Sequence, residues 1–456
     1  MRRLAIINVV GLTQDHLGKD TPNITALANK SSAHSLIPPL PAVTSTVQAS
    51  ILTGLEPKDH GIVSNGWHER NTNSTHFWRQ SNELVSGEMI WDAAKQCDPN
   101  FTCANMFWWF NMHSSVDIAV TPRPIYCADG RKIPDVWTNP PTLRNDLQST
   151  LGQFPLFQFW GPMANIKSSK WITDASIIVE KQFAPSLMLV YIPHLDYALQ
   201  KVGPNHSSIA EELRLVDREV GKLIDHFTKQ NISICVLSEY GIDEVNSVVS
   251  LNKVLREAGL LAIREELGRE YLDAGQSKAF AVPDHQIAHV YVKNKQQLQE
   301  ISSLISKVSG VEQVLVGNEQ GNLEHERCGD LIVVADKESW FVHDWWNDDA
   351  CAPDYQHTVD IHSKPGYDPR ELFLASGWRG SKPRIALKVL AKKIGLNTLF
   401  DVIESDPSVI RGSHGRTHAM GATPPILIPP SNVNIDADML PSTSLKKLVI
   451  SWMELA

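Results

Sequence analysis

The sequence predicts an α/β fold, a central and mostly parallel sheet with helices on both faces, and three observations predict it. Short apolar runs recur at residues 5–10, 102–107, 187–192 and 232–237. Helical stretches lie between them. Each run is partly β-branched or aromatic, lacks two-residue alternation and stops at Gly, Pro or polar residues, as strands covered on both faces do. Strands and helices in such alternation form a sheet between helical layers.

The first run, Leu4-Ala5-Ile6-Ile7-Asn8-Val9-Val10-Gly11, follows Met1-Arg2-Arg3 and so resembles a short secretion signal. It is too short for an apolar signal core and lacks a small-residue cleavage site, which leaves a buried strand. Helices are expected at 25–30, 209–229 and 251–258. In the second, Leu213, Val216, Val220, Leu223, Ile224 and Phe227 fall at three- and four-residue spacing and form one apolar stripe. From 279 to 342 the texture changes. Residues 286–292, 311–316 and 330–335 read as strands and 295–309 as a helix, a compact α+β lobe inserted into a core of residues 1–278 and 343–456. The Pro- and Ser-rich tail, 424–444, is expected to wrap the core surface.

At 456 residues the chain can bury roughly three quarters of its unfolded surface. Its net charge of -9, without runs of like charge, argues against a nucleic-acid polymer or an anionic membrane as the main partner. No segment approaches the roughly 20 apolar residues of a spanning helix, so a soluble protein is expected. Cys97, Cys103, Cys127, Cys235, Cys328 and Cys351 show neither C-x-x-C nor zinc-knuckle spacing. Reduced thiols and a cytoplasmic location are the expectation.

Reactive groups of an open α/β sheet gather where strands end. Four stretches place them there. Pro41-Ala42-Val43-Thr44-Ser45-Thr46-Val47-Gln48, continuing to Thr53-Gly54-Leu55-Glu56-Pro57-Lys58-Asp59-His60-Gly61-Ile62, offers a hydroxyl at a helix start, where unpaired N–H groups favour an alkoxide and a phosphate. A lone Thr there equally serves as a helix cap. The second is Pro193-His194-Leu195-Asp196-Tyr197, with Gln200, Gly203 and Pro204 beyond. The others are Ser238-Glu239-Tyr240-Gly241 and Arg411-Gly412-Ser413-His414-Gly415. Carboxylates and imidazoles converging from separate strand ends suit a divalent metal.

In order and spacing these stretches resemble the nucleotide pyrophosphatase/phosphodiesterase family of the alkaline-phosphatase superfamily. Thr53 to Ile62 matches its T-G-x-x-P-x-x-H-G-I stretch throughout, and counting back places Thr44 on the nucleophile. Val9-Val10-Gly11-Leu12 and Thr21-Pro22-Asn23-Ile24 resemble the first strand and the T-P-N-L element, Asp196 with Gly203-Pro204 the D-x-x-x-H and its trailing G-P, and His414 the late histidine. The resemblance implies an alkaline-phosphatase-like fold and hydrolysis of phosphate esters at two zinc ions.

Three ligand positions depart from that pattern. Val10 stands for the first metal-binding Asp, Gln200 for the His of D-x-x-x-H, and Glu239-Tyr240 for D-H. What remains, Asp196, Glu239 and His414 with Gln200, Tyr240, His194 or water, predicts one ion rather than two, Zn²⁺ or, with this oxygen-rich set, Mn²⁺ or Mg²⁺. His194, two residues before Asp196, would share its side of a strand. His362 is a further candidate ligand. Trp108 and Trp109 directly follow a strand and are candidates to stack on substrate, and Lys58, Lys201 and Arg411 to bind phosphoryl oxygens. The expected partner is a small phosphate ester or related anion. The alternatives are a binding protein that has lost the reaction, and an enzyme of the same fold acting on a phosphonate or a sulfate.

Overall fold

The computed structural model describes residues 2–128, 131–396 and 398–455. Its main sheet has nine strands. At the centre β1 (Leu4–Val9) lies between β2 (Leu187–Ile192) and β3 (Ser233–Leu237), parallel to both. Cys103–Met106 and Ile118–Pro122 extend the parallel set beyond β2, and Val136–Asn139 closes that edge antiparallel. The centre is parallel, as expected, because β1 and β2 are buried along their whole length and need helical cover on both faces.

The long helix Ile209–Lys229 has the predicted bounds. Leu213, Val216, Val220, Leu223 and Phe227 are buried, and Ile224 packs half-buried at the margin of the same core. Beyond β3 the sequence expectation fails. The tail does not merely wrap the surface: Ile426–Ile428 pairs antiparallel with β3, and Met439–Pro441 pairs with His34–Ile37 at the far edge. Three-residue strands between prolines carry no periodic signal, yet they are what covers that flank of the sheet.

The stretch 279–342 holds a four-stranded antiparallel sheet of its own. β4 (Ala279–Asp284) and β5 (Ile287–Val292) form a hairpin, followed by β7 (Leu331–Ala335) and, at the edge, β6 (Val311–Val316). The expected helix is split into a 3-10 turn, Lys295–Gln297, and a helix, Leu298–Ile305. The turn of the β4–β5 hairpin meets Asn65 and His414, which makes this sheet part of the site.

Candidate active site

Thr44 opens helix α1 (Thr44–Thr53), after an extended Val43 that turns the chain into the helix. Its side chain therefore lies at the positive end of the helix dipole, and it is only 4% exposed. The start of α1 is held by Asn65, whose Oδ1 accepts the Ser45 N–H at 3.0 Å. Asn65 is held in turn by Asp284 of the lobe, which accepts its backbone N–H at 2.8 Å and its side-chain amide at 3.1 Å.

From Thr44 a chain of hydrogen bonds runs inward. Thr44 Oγ1 is 2.9 Å from the Tyr240 hydroxyl, which donates to Asp196 Oδ1 at 3.3 Å. Gln200 donates to the other oxygen of Asp196 at 2.9 Å, and Tyr367 donates to Gln200 Oε1 at 3.0 Å. Asp196 and Gln200 belong to helix α2 (His194–Val202), where a spacing of four residues puts them on one face. On the other side of Thr44, Glu239 accepts from Asn8 Nδ2 at 2.5 Å and from Gln48 Nε2. The backbone N–H of Trp109 holds Gln48 Oε1 at 2.5 Å.

Burial is complete enough to move both carboxyls. Desolvation raises Asp196 to about 7, against the hydrogen bonds from Gln200 and Tyr240. It raises Glu239 to about 8, against those from Gln48, Asn8 and Thr44. His414 is pushed down to about 3 by burial and stays neutral. Its Nδ1–H donates to the Ala42 carbonyl at 2.7 Å, which leaves Nε2 with a free lone pair. The ring lies flat on Tyr240, 3.6 Å between centroids, with His285 on its other side at 3.7 Å and Tyr367 beyond His285 at 3.8 Å.

Fit to a metal is a matter of donors and of geometry. Glu239 Oε2 and His414 Nε2 are buried polar atoms without a hydrogen-bond partner, as coordinating atoms would be. Yet among the described residues no three His, Cys, Asp or Glu side chains converge as metal ligands. The expected trio of Asp196, Glu239 and His414 forms no ligand set, and both oxygens of Asp196 are taken, by Tyr240 and Gln200. Two ions do not fit these residues. The donor atoms free for a single ion are Glu239 Oε2 and His414 Nε2.

Other site expectations need correction. His194 lies on a helix rather than a strand, because the apolar run ends at Ile192 and the chain turns at Pro193. Two residues on a helix point nearly opposite ways, and His194 Nε2 bonds Glu212 Oε2 at 2.6 Å instead of joining Asp196. His362 donates to the Phe77 carbonyl at 3.2 Å and packs edge-on to Tyr126. Trp108 is buried within the main core and offers no face to a substrate. Trp109 is spoken for as well, donating from Nε1 to the Arg79 carbonyl at 2.8 Å and meeting Trp78 edge-to-face. Lys58 and Lys201 lie away from these residues: Lys58 is exposed, and Lys201 lies over the Phe373 ring. Asn8, Gln48, Tyr367 and His285 went unremarked as site residues. The first had a signal, a lone amide within an apolar strand.

A hydroxyl at a helix start stands against acidic side chains that follow parallel strands, the place where open α/β sheets gather their active groups. A family model described as type I phosphodiesterase / nucleotide pyrophosphatase matches residues 4–368, and the chain belongs to that family. An uncharacterized pyrophosphatase/phosphodiesterase of Schizosaccharomyces pombe is 24% identical over 255 residues, 52% of this chain and 44% of the relative. Ectonucleotide pyrophosphatase/phosphodiesterase family member 3 of Bos taurus is 25% identical over 234 residues, 49% of this chain and 22% of its own. The chain thus spans less than half the length of these curated relatives. Among solved structures, murine ectonucleotide pyrophosphatase/phosphodiesterase 5, in an inactive variant with AMP, superimposes with a TM-score of 0.58 at 13% identity, over 100% of this chain and 96% of that one. Phosphonoacetate hydrolase from Sinorhizobium meliloti, with phosphonoacetate, gives 0.61 at 12% identity, over 99% and 96%. Both likenesses show the fold.

Proposed function

We propose that this chain hydrolyses small phosphate esters or related phosphorus anions with Thr44 as nucleophile. The observation that carries the reading is the line Thr44–Tyr240–Asp196, which begins at a helix N-terminus and ends on a carboxylate. Thr44 Oγ1 attacks phosphorus in line as its proton passes to the Tyr240 oxygen, while Tyr240 gives its own proton to Asp196. The bond to the leaving oxygen breaks, and that oxygen departs with its electron pair and takes up a proton. Water then hydrolyses the phospho-threonine and restores Thr44. The positive end of the α1 dipole, at Thr44, favours the phosphoryl oxygens. A single divalent ion, held by Glu239 Oε2 and His414 Nε2 with water, would supply Lewis-acid stabilisation of charge when bound. The AMP and phosphonoacetate carried by the two structural neighbours support a ligand of this size and chemistry.

A second reading, a binding protein that has lost the reaction, is favoured by the place Tyr240 takes between nucleophile and carboxylate. Turnover of bis-p-nitrophenyl phosphate, p-nitrophenyl phosphate and phosphonoacetate in added Mn²⁺, Mg²⁺ and Zn²⁺, beside metal analysis of the purified chain, separates the two. Turnover that Thr44→Ala and Asp196→Asn abolish supports the hydrolase, and the preferred substrate tells ester from phosphonate. A folded wild type inactive on all three with every ion overturns it in favour of binding.

A further inference from the structure

The charge of -9 conceals one segment of opposite character. Between Ser376 and Phe400 stand six basic residues, Arg379, Lys382, Arg384, Lys388, Lys392 and Lys393, and no acidic one. Its middle is helix α3 (Lys382–Lys393), entered from Ser381 with a proline in the first turn. Three of the basic groups reach forward to the segment that follows the helix. Arg384 and Lys388 reach Asp401 at 2.8 and 2.6 Å, and Lys392 lies over the Phe400 ring. The apolar groups face outward instead.

Trp378, Leu387, Leu390, Ile394, Leu396 and Leu399 are between 50 and 68% exposed. Leu387, Leu390 and Ile394 follow each other at three- and four-residue spacing along one face of the helix and its end. None of the six belongs to the hydrophobic clusters of the described residues. Single exposed apolar side chains are ordinary, but a contiguous group of this size marks an interaction surface.

Charge decides what covers it. A symmetric contact with a second copy would set this basic segment against itself, six basic residues with only Asp401 beside them to offset the like charges. An anionic bilayer meets both halves of the pattern: its boundary region takes the leucine and isoleucine side chains, and its headgroups take the lysines. No helix of the described residues is long and apolar enough to cross a membrane. The surface is a helix with projecting side chains, suited to lying in the plane of the interface. We propose that α3 docks the protein onto anionic lipid. Total charge alone argued against a membrane partner, because the segment is outweighed by the acidic remainder.

The test is sedimentation of the full chain with vesicles of phosphatidylcholine alone or mixed with phosphatidylglycerol. Binding to the mixed vesicles only, weakened by salt and lost in Leu387→Gln/Leu390→Gln/Ile394→Gln, is the expected result. Lys382→Gln and Lys392→Gln should each lower the partition roughly fivefold, about 1 kcal/mol per basic residue near the surface. All these positions are exposed or half-buried, and a thermal melt matching wild type confirms folding. Equal binding to both vesicle types, no binding to either, or a lipid-free dimer that the triple variant dissolves would each overturn the proposal.

Discussion

Lys364 is the most informative residue to remove. Its ammonium is fully buried, 2.9 Å from Asp368 Oδ2 and 2.9 Å from Glu371 Oε1. Asp368 keeps Arg370 at 2.7 Å if the lysine goes, and so keeps a compensating charge. Glu371 does not. It is left with the Trp160 indole N–H at 2.6 Å and the Asp360 N–H at 2.9 Å. Removing one partner of a buried ion pair costs about 3–5 kcal/mol, so Lys364→Met should lower stability by about that much in urea melts at pH 8. The loss should shrink toward pH 5. Burial already raises the Glu371 carboxyl while Lys364 lowers it, so in the variant it rises further. An acid raised in the folded state costs stability as pH climbs above its ordinary value, and that cost vanishes when the group is protonated in both states. Lys364→Met/Glu371→Gln should therefore recover most of the loss at pH 8. A single variant as stable as wild type at pH 8, or equally damaged at both pH values, would refute this account of the charges.

The remaining predictions concern the site and the buried histidines. Thr44→Ala should abolish turnover with little change in melting, whereas Thr44→Ser should retain measurable turnover in a steady-state assay. Tyr240→Phe removes the link to Asp196 and should lower kcat by about 10²–10⁴ with KM little changed, and an unaltered kcat would place the proton elsewhere. Burial depresses His60 to about 3 and His289 to about 4, so each stays neutral when folded. The unfolded chain then takes up more protons below about pH 6.5. Each histidine should cost about 1.4 kcal/mol of stability per pH unit as pH falls from there toward its folded value, read by melts from pH 7 to 5. Trp108→Phe should lower melting temperature without moving KM, since the indole packs in the core.

What the sequence made legible follows from where periodicity and spacing carry information. The bounds of Ile209–Lys229 and Leu187–Ile192 were readable because an apolar stripe stops at polar residues and an apolar run at Pro193. Thr44, Asp196 and His414 all touch Tyr240, because the chain stretches that carry them are anchored at neighbouring ends of the sheet. His194 failed for a local reason: a strand rule was applied one residue past the proline that ends the strand. Trp108 and Trp109 failed for a different one. Following a strand does not say which way a side chain turns, and here one enters the core while the other bonds to backbone.

The strands of 279–342 were legible but their contribution to the site was not, and that contribution holds the site in place. His285, at the hairpin tip, has a left-handed backbone, φ +62°, that an L residue adopts only when its surroundings hold it. The holding contacts are visible. The His285 carbonyl accepts the Phe341 N–H at 2.8 Å, and the next N–H, of Gln286, donates to the His414 carbonyl at 2.9 Å. His414 is thus fixed by Ala42 through its ring, by Gln286 through its backbone, and between the rings of Tyr240 and His285. One residue earlier, Asp284 holds Asn65 and through it the start of α1. Three consecutive lobe residues therefore orient the helix that presents Thr44 and the imidazole that faces Tyr240. Any change that withdraws this hairpin must release the nucleophile helix and the late histidine together, so the lobe is a structural part of the chemistry's support.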